Sequence, residues 1–194
     1  MFTKITLENF RSFDHIELDL TEKGNTAKHL AILYGENGAG KSNLMSAFVL
    51  LPELTRTMDA RAAYERILAQ GAIFQDENME KEMREHIRQR LRDMSAIIKD
   101  YQMADCENPI IAEYEFNIDG NNGCYRVEFG QDEILHERLE FVLNRRRGLY
   151  FDCSVTGINI NDSIVEKEQG KEFLTDVKEM AKRYWGKHSL LAIL

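Results

Sequence analysis

The chain has 194 residues, of which 33 are acidic and 25 basic, so its formal net charge is −8. This balance excludes a protein that is basic throughout, as many nucleic-acid binders are, although a local basic surface stays open as an alternative. Hydrophobic residues make up 43% and charged residues 30% of the chain, which excludes a disordered protein, and the apolar runs are far shorter than the roughly 20 residues of a membrane helix.

Two strands are predicted at the start of the chain. Residues 2–9 and 15–20 both alternate between apolar and polar side chains, which is typical of half-buried strands. The segment Asn-Phe-Arg-Ser-Phe at residues 9–13 forms the turn between them. Residues 29–34 are continuously apolar and end at Gly35, which predicts a buried parallel strand.

A helix is predicted to follow directly. From Lys41 onward, apolar side chains recur on one helical face, until Pro52 interrupts the helix because proline lacks a backbone N–H. The apolar positions are Leu44, Ala47, Phe48 and Leu51.

A longer helix is predicted over residues 76–101. Its apolar side chains recur at steps of three and four residues among many Glu, Lys and Arg residues, as in an amphipathic helix. Arg84, Arg88 and Arg92 share one face of it. We interpret this face as a solvated surface with charge pairs, and a surface that contacts nucleic acid or a partner is the alternative.

An antiparallel β region is predicted next. Residues 110–118 and 124–129 alternate on either side of the turn-forming segment 119–123, so they predict a hairpin. Residues 134–143 and 149–155 predict two more strands, which flank a turn rich in arginine. These strands form the antiparallel β region of the predicted fold.

The end of the chain predicts one more helix and an apolar terminus. Residues 163–184 have helical spacing, with Asn161, Asp162 or Ser163 as the N-cap. The chain then stops on the apolar run 190–194. Because termini usually lie at the surface, we expect that sequence is missing there, by truncation or in a split protein, and that apolar surface is left uncovered. The alternative is a C-terminal element that docks on the domain.

The chemistry of the chain is concentrated in residues 35–42, which match the P-loop pattern G-x-x-x-x-G-K-[ST] between a predicted strand and a predicted helix. Glycines let the backbone wrap closely around phosphates, and the N–H groups at the helix start form an anion-binding nest. Lys41 is expected to reach the β- and γ-phosphates, and the Ser42 hydroxyl to bind Mg²⁺. The predicted ligand is therefore ATP with Mg²⁺, bound by Gly35, Glu36, Asn37, Gly38, Ala39, Gly40, Lys41, Ser42 and Asn43.

The string Gly-Glu-Asn-Gly-Ala-Gly-Lys-Ser-Asn at residues 35–43 resembles the G-x-N-G-x-G-K-S-N form of ABC-type ATPases of the SMC/RecF class. It is also similar to their relatives among bacterial AAA proteins, the OLD-type, Septu-type and abortive-infection ATPases. The turn at residues 9–13 resembles the N-F-R-[SN]-F turn of the same group. The resemblance is specific over residues 1–50, and it implies that Arg11 lies near the bound nucleotide.

This resemblance implies an α/β fold, that of a P-loop NTPase. The chain is expected to form the N-terminal lobe of an ABC-type ATPase head, with an antiparallel β region and an inserted helical segment. We divide it into strands and P-loop (1–51), a helical insertion (52–108), the antiparallel β region (109–161), and a helix with a truncated end (162–194).

Several features that this class uses for hydrolysis have no match in the sequence. A Walker B strand ends in Asp-Glu, whereas the apolar run that leads to Asp152 is followed by Cys153. The serine-glycine signature and the switch histidine are also missing, and Gln75 and Gln102 are equal candidates for the glutamine-bearing loop. No catalytic residue is therefore predicted, and Asp152 is the one candidate substitute for Walker B.

The motifs and the resemblance together predict ATP binding, with ATP hydrolysis in the complete protein, in DNA repair or antiphage defence. In this class ATP is sandwiched between two heads, which implies a homodimer, with nucleic acid or a nuclease as further partners. One alternative is a nucleotide-sensing module that does not hydrolyse ATP, because Walker B is missing. Another is a different P-loop enzyme such as a small-molecule kinase; the N-K-x-D string of GTPases is absent.

The cysteines and the N-terminus indicate the compartment. Cys106, Cys124 and Cys153 are scattered and form no C-x-x-C pair, and the first residues lack the apolar block of a signal peptide. Reduced thiols in this pattern are typical of cytosolic proteins. We therefore expect a cytoplasmic protein with no zinc site and no membrane segment.

Overall fold

Seven strands form one sheet in the computed structural model, which describes residues 1–22, 26–71, 92–143, 146–162 and 170–194. The strands are β1 (Phe2–Phe10), β2 (Phe13–Asp19), β3 (Ile110–Ile118), β4 (Asn121–Phe129), β5 (Ile134–Leu143), β6 (Arg146–Ser154) and β7 (Gly157–Ile160). The described helices are α1 (Lys41–Thr55), α2 (Thr57–Gly71), α3 (Met94–Tyr101), α4 (Gly170–Tyr184) and α5 (Leu190–Ile193). None of these helices is both long and apolar enough to cross a membrane.

The strand order is β2-β1-β3-β4-β5-β6-β7, and every neighbouring pair is antiparallel. In the β3–β4 hairpin, Ile118 pairs with Asn121 across Asp119 and Gly120. Both central residues have positive φ angles, 52° and 81°, as a two-residue type I′ turn requires. The turn is therefore shorter than the predicted segment 119–123.

One face of the sheet is buried under the helices, because apolar and polar side chains alternate along its strands. The buried face carries Ile5, Leu7, Ala112, Tyr114, Val127, Phe129, Phe151 and Cys153. The helices contribute buried residues that include Leu44, Leu50, Ile97, Val177 and Leu190 to the same core. The first helix, which starts in the P-loop, is thus anchored on the sheet by its apolar side.

The other face of the sheet carries charged side chains that pair across strands. Arg126 on β4 lies 3.3 Å from Glu113 on β3, and Arg138 on β5 lies 2.8 Å from Asp152 on β6. His136 Nε2 is 2.7 Å from the second oxygen of Asp152. The two arginine pairs follow the strand register, in which opposite charges that face each other stabilise a sheet.

The antiparallel part agrees well with the sequence prediction. Strands β3 and β5 have the predicted bounds, whereas β6 begins at residue 146 instead of 149. Strand β7 has no counterpart among the predicted elements. Helix α4 ends at Tyr184 as predicted, but its predicted start at residue 163 lies outside the described residues.

Helix α1 does not stop at Pro52, so that prediction was wrong. The helix continues through the proline to Thr55. Pro52 itself is exposed, so its ring does not disturb the buried side of the helix, which consists of Leu44, Ala47, Leu50 and Leu54. The predicted boundary at residues 51–52 therefore falls inside α1.

Residues 29–34 do not form the predicted buried parallel strand. They lie outside the sheet, and Leu30, Ile32 and Tyr34 are 76%, 74% and 92% exposed. The prediction was wrong because a parallel strand needs neighbouring strands to pair with, and none of the described strands pairs with this segment. We call residues 30–34 the apolar strip.

The helix predicted over residues 76–101 does not run unbroken to its end. Residues 72–91 lie outside the described residues, and Arg92 and Asp93 are not helical. Helix α3 starts afresh after them because the Asp93 carboxylate accepts a hydrogen bond from the Ala96 N–H at 2.9 Å, which caps the helix.

Only one of the three arginines predicted to share a helix face is described. Arg92 forms ion pairs with Glu53 of α1 and with Asp100 of α3, whereas Arg84 and Arg88 lie outside the described residues. For Arg92, these pairs support the interpretation as a charge-paired surface over that of a nucleic-acid contact.

The apolar run at residues 190–194 docks on the domain. It forms helix α5, in which Leu190 is fully buried. The Ser189 hydroxyl donates to the Leu54 carbonyl at the end of α1 at 2.9 Å, and the Glu137 carboxylate accepts from the Leu190 N–H at 2.7 Å. The run is therefore mostly covered by the domain, as in the docked alternative, while the expectation that sequence is missing beyond it stays a prediction.

Candidate functional site

Helix α1 begins inside the P-loop and has no side-chain cap. The residue before it, Gly40, has a left-handed backbone with φ 84° and ψ 5°. The first N–H groups of a helix have no partner within it, so those of Lys41, Ser42 and Asn43 face outward at the helix end. The helix dipole adds positive potential at the same point, and such an end is a site for an anion.

Two glycines of the loop are required by its shape. Gly38 and Gly40 have φ angles of 89° and 84°, which side chains rarely adopt. At Gly40, an added Cβ would also lie 2.7 Å from Phe13 Cζ. At Gly38, an added Cβ would meet nothing within 4 Å, so this side of the loop has room for a ligand.

The Lys41 side chain folds back on the loop. Its Nζ donates to the carbonyl oxygens of Gly35 and Glu36 at 2.7 and 2.6 Å. Charged phosphate oxygens are stronger acceptors for an ammonium group than neutral carbonyls. The phosphate oxygens of a bound triphosphate would therefore be stronger hydrogen-bond acceptors for Lys41 than the Gly35 and Glu36 carbonyl oxygens that it contacts here.

The β1–β2 turn lies directly against the P-loop. Asn43 Nδ2 donates to Ser12 Oγ at 2.8 Å, and the Phe13 ring touches Gly40. The amide of Asn43 thus binds the turn, while its backbone N–H stays at the helix end. Ser12 and Phe13 are absent from the predicted site residues, although the resemblance of the N-F-R-S-F turn was a signal that could have identified them.

Arg11 lies in the same turn, with a left-handed φ of 52°. Its backbone N–H donates to the Tyr101 carbonyl at 2.8 Å, and its guanidinium carbon lies 4.9 Å from the centre of the Tyr101 ring. Among the described residues, Arg11 forms no ion pair, and its buried Nε has no hydrogen-bond partner. The guanidinium charge is therefore not neutralised by a described carboxylate.

Tyr101 itself is buried at the end of α3. Its ring stacks on Phe10 with the ring centres 5.2 Å apart. Burial, and after it the neighbouring Glu53 carboxylate, raises the pKa of Tyr101 to about 12, so the hydroxyl stays protonated at neutral pH. In the sequence, Tyr101 is only the last member of an apolar stripe, and nothing there connects it with Arg11.

Gln102 and Asp152, which the sequence offered as candidate site residues, do not lie at the P-loop. The Gln102 side chain donates to the Cys106 carbonyl at 2.8 Å, and Gln75 lies outside the described residues. Asp152 points to the open face of the sheet, where Arg138 and His136 pair with it. Because α1 packs on the opposite face, the sheet separates Asp152 from Ser42, and Asp152 is not a substitute for Walker B.

An open cleft of about 890 Å³ extends from the P-loop between the apolar strip and α1. Lys41 and Ser42 line its polar end. Ile32 of the strip and Met45 and Val49 of α1 line the remainder. The P-loop is thus open to solvent on this side.

Residues 1–182 match a family model described as an AAA ATPase domain. A segment of 49 residues is 41% identical to the DNA replication and repair protein RecF of Bacillus mycoides (strain KBAB4). That segment covers 25% of this chain and only 12% of that protein. The family match includes the P-loop, the turn against it and all seven strands.

Proposed function

We propose that this chain, which belongs to the AAA ATPase domain family, binds Mg·ATP through its P-loop. It would do so in the manner of the SMC/RecF class of ABC-type ATPases. The observation that carries the proposal is the uncapped start of α1, with Lys41 beside it on the loop carbonyls. Outward N–H groups, a mobile ammonium group and the open space at Gly38 form a site suited to phosphates.

Magnesium fits the same site with few protein ligands. Mg²⁺ keeps several waters and is usually held by one or two protein groups together with the phosphates of the substrate. Ser42 is exposed at the helix start, where its hydroxyl can serve as that protein ligand. Among the described residues, no three His, Cys, Asp or Glu side chains gather at a metal site, so the phosphates supply most of the binding.

Hydrolysis needs more than this site. A P-loop binds the phosphates of the ground state, whereas acceleration requires groups that act in the transition state, such as an acidic residue that orients water. We propose that this residue belongs to another part of the complete protein, because Asp152 faces away from Ser42. Two heads would then close on ATP as a homodimer.

The biological setting is proposed from similarity. The class that the P-loop resembles and the partial match to a DNA replication and repair protein support a cytoplasmic role in DNA repair or antiphage defence. DNA or a nuclease would be the further partner. A nucleotide-sensing module is the second candidate, and the position of Asp152 favours it, since binding without turnover needs no acidic residue at Ser42.

Calorimetry with a non-hydrolysable ATP analogue tests the binding site. We expect binding that depends on Mg²⁺ and that is nearly lost in Lys41→Ala. Ser42→Ala should weaken the dependence on Mg²⁺ more than it weakens binding of free nucleotide. Equal affinity of Lys41→Ala and the unchanged chain would show that this loop is not the site.

A phosphate-release assay tests the proposal on hydrolysis. The chain by itself should release phosphate from Mg·ATP no faster than its Lys41→Ala variant, which serves as the control for contaminating ATPase. Turnover that disappears in Lys41→Ala would mean that an acidic residue of this chain acts at the site after all.

A further inference from the structure

We infer that Tyr101 is a positioning residue for the nucleotide site, which holds the Arg11 guanidinium in place for the anionic ligand. The inference rests on the proposed function, since it assumes that Arg11 meets the phosphates bound by the P-loop. Tyr101 is not itself expected to touch the nucleotide. Its role is to present Arg11 in one orientation before ATP arrives.

Tyr101 and its neighbours hold the backbone of the turn. The Tyr101 carbonyl accepts the Arg11 N–H at 2.8 Å, and the next residue, Gln102, forms a β-bridge with Phe10. The Met103 N–H donates to the Asn9 carbonyl at 3.2 Å. Asn9 and Arg11 both have left-handed φ angles, 51° and 52°. Asparagine adopts this region readily, whereas it is costly for arginine. The segment after α3 therefore stabilises a turn conformation that the chain would not adopt by itself.

The same ring lies beside two arginines with different surroundings. Arg92 is 5.9 Å from the ring centre, and Glu53 and Asp100 pair with it. Arg11 is closer, at 4.9 Å, and has no described carboxylate partner. The face of an aromatic ring attracts a cation but carries no full negative charge. Arg11 is thus fixed in position while its charge remains available for an anion.

The ring can act as a fixed support because it is itself immobilised. Tyr101 is 2% exposed, it is the last residue of α3, and its ring stacks on Phe10. A long arginine side chain loses rotamer freedom when it binds a ligand, and ordering it beforehand lowers that cost of binding. Loss of the ring should therefore weaken ATP binding without removing any direct contact to ATP.

The decisive experiment changes the electrostatics of the ring but not its shape. Phenylalanine, and then phenylalanine with one to three ring fluorines, is incorporated at position 101 of the full chain, since fluorines progressively remove the negative ring face. The dissociation constant for a non-hydrolysable ATP analogue with Mg²⁺ is measured by calorimetry. Phenylalanine should bind within about twofold of tyrosine, and trifluorophenylalanine about fivefold more weakly, because one long side chain must then be ordered when the ligand binds.

Arg11→Ala supplies the control that separates positioning from general damage. In that background, the fluorinated series should have no further effect on affinity, because Arg11 is the residue through which the ring acts. The same fluorinated residue at Phe129, which is buried and which no described arginine covers, should leave affinity unchanged. Thermal denaturation of each variant confirms that it is folded.

Two results would overturn the inference. One is equal affinity across the fluorinated series; the other is a loss of affinity that persists in Arg11→Ala. Lys41→Ala distinguishes these results from failure of the proposed site. If Lys41→Ala abolishes binding while the fluorinated series has no effect, the P-loop site stands and the role of Tyr101 is wrong.

Discussion

The antiparallel sheet and the P-loop edge are built in opposite ways. In the sheet, each central strand is paired on both sides, and one face is covered by helices. At the P-loop edge, residues 31–39 are exposed, and the loop is supported mainly by the turn that contains Ser12 and Phe13. The sheet is stabilised by burial, whereas the shape of the loop depends on a few specific contacts.

This difference predicts a separation of effects. Changes in the sheet core should lower the free energy of unfolding and leave nucleotide affinity nearly unchanged. Changes at the loop or its supporting turn should lower affinity and leave stability nearly unchanged. Each prediction below tests either the sheet core or the loop. A variant that lowers both the free energy of unfolding and the nucleotide affinity would argue against this separation.

The largest effect is expected for Lys41→Ala. Removal of the Lys41 ammonium group should weaken binding of Mg·ATP by about 100-fold or more, since hydrogen bonds between charged groups are strong. The melting temperature should change by no more than a degree or two, because Lys41 contacts only exposed loop carbonyls. Lys28→Ala, which removes a lysine from the exposed surface outside the loop, is the matched control and should bind normally.

Glu137 provides the corresponding test in the sheet. Its carboxylate is fully buried and accepts hydrogen bonds from the Tyr125 hydroxyl, the Trp185 indole N–H and the Leu190 N–H. Glu137→Leu leaves these buried donors without an acceptor, so it should cost about 3 kcal/mol or more of unfolding free energy. Urea denaturation measures this cost, and nucleotide affinity should stay within about twofold of normal.

Glu137→Gln is the matched control, because a glutamine can still accept from Trp185 and Leu190 and can donate to Tyr125. It should cost about 1 kcal/mol or less. It also isolates the titration of this carboxyl group. Burial raises the pKa of Glu137 above its ordinary value of 4.5, so the stability it contributes is fully present below pH 4.5 and declines as the pH rises through the raised value. Relative to Glu137→Gln, the protein should therefore lose stability as the pH rises above 4.5.

A smaller effect is expected for Gly40→Ala, which adds a methyl group next to the Phe13 ring at a left-handed position. Distortion of the loop should weaken nucleotide binding about tenfold, in line with roughly 1–2 kcal/mol for a left-handed side chain. The second substitution Phe13→Leu should restore part of the affinity by making room. The same substitution should not rescue Gly38→Ala, since nothing lies near that position.

The smallest effect is expected for the hydrogen bond between Asn43 and Ser12. Either Ser12→Ala or Asn43→Ala should weaken binding about threefold, the value of one exposed hydrogen bond. The double variant should be no weaker than the single ones, because both remove the same bond. Ser46→Ala, which alters a hydroxyl bonded to the Asn43 carbonyl within α1, serves as the control, and additive losses would show that Asn43 acts by another route.

The sequence predicts best those features that depend on neighbouring residues. The P-loop follows from a local pattern with a direct chemical reason, and β3 and β5 follow from alternation along each strand. The type I′ turn is likewise encoded by Asp119 and Gly120 themselves. In these cases, the residues that form the sequence pattern are the same residues that form the structural element.

The errors share the opposite cause. Residues 29–34 have the composition of a buried strand, yet their state depends on strands elsewhere in space. Pro52 is tolerated in α1 because of its position on the exposed side. The contact of Tyr101 with Arg11 joins residues 90 positions apart in the sequence, and no local sequence pattern predicts it.

The apolar strip has a consequence for the behaviour of the chain in salt. Within the described residues, its backbone N–H and C=O groups are unpaired, which makes it a template for strand addition by another molecule. The net charge of −8 repels a second copy at low ionic strength, and this repulsion is screened beyond about 3 Å at 1 M salt. Strongly hydrated salts such as sulfate also strengthen apolar burial. The chain should therefore remain dispersed in dilute buffer and associate through the apolar strip as sulfate is added.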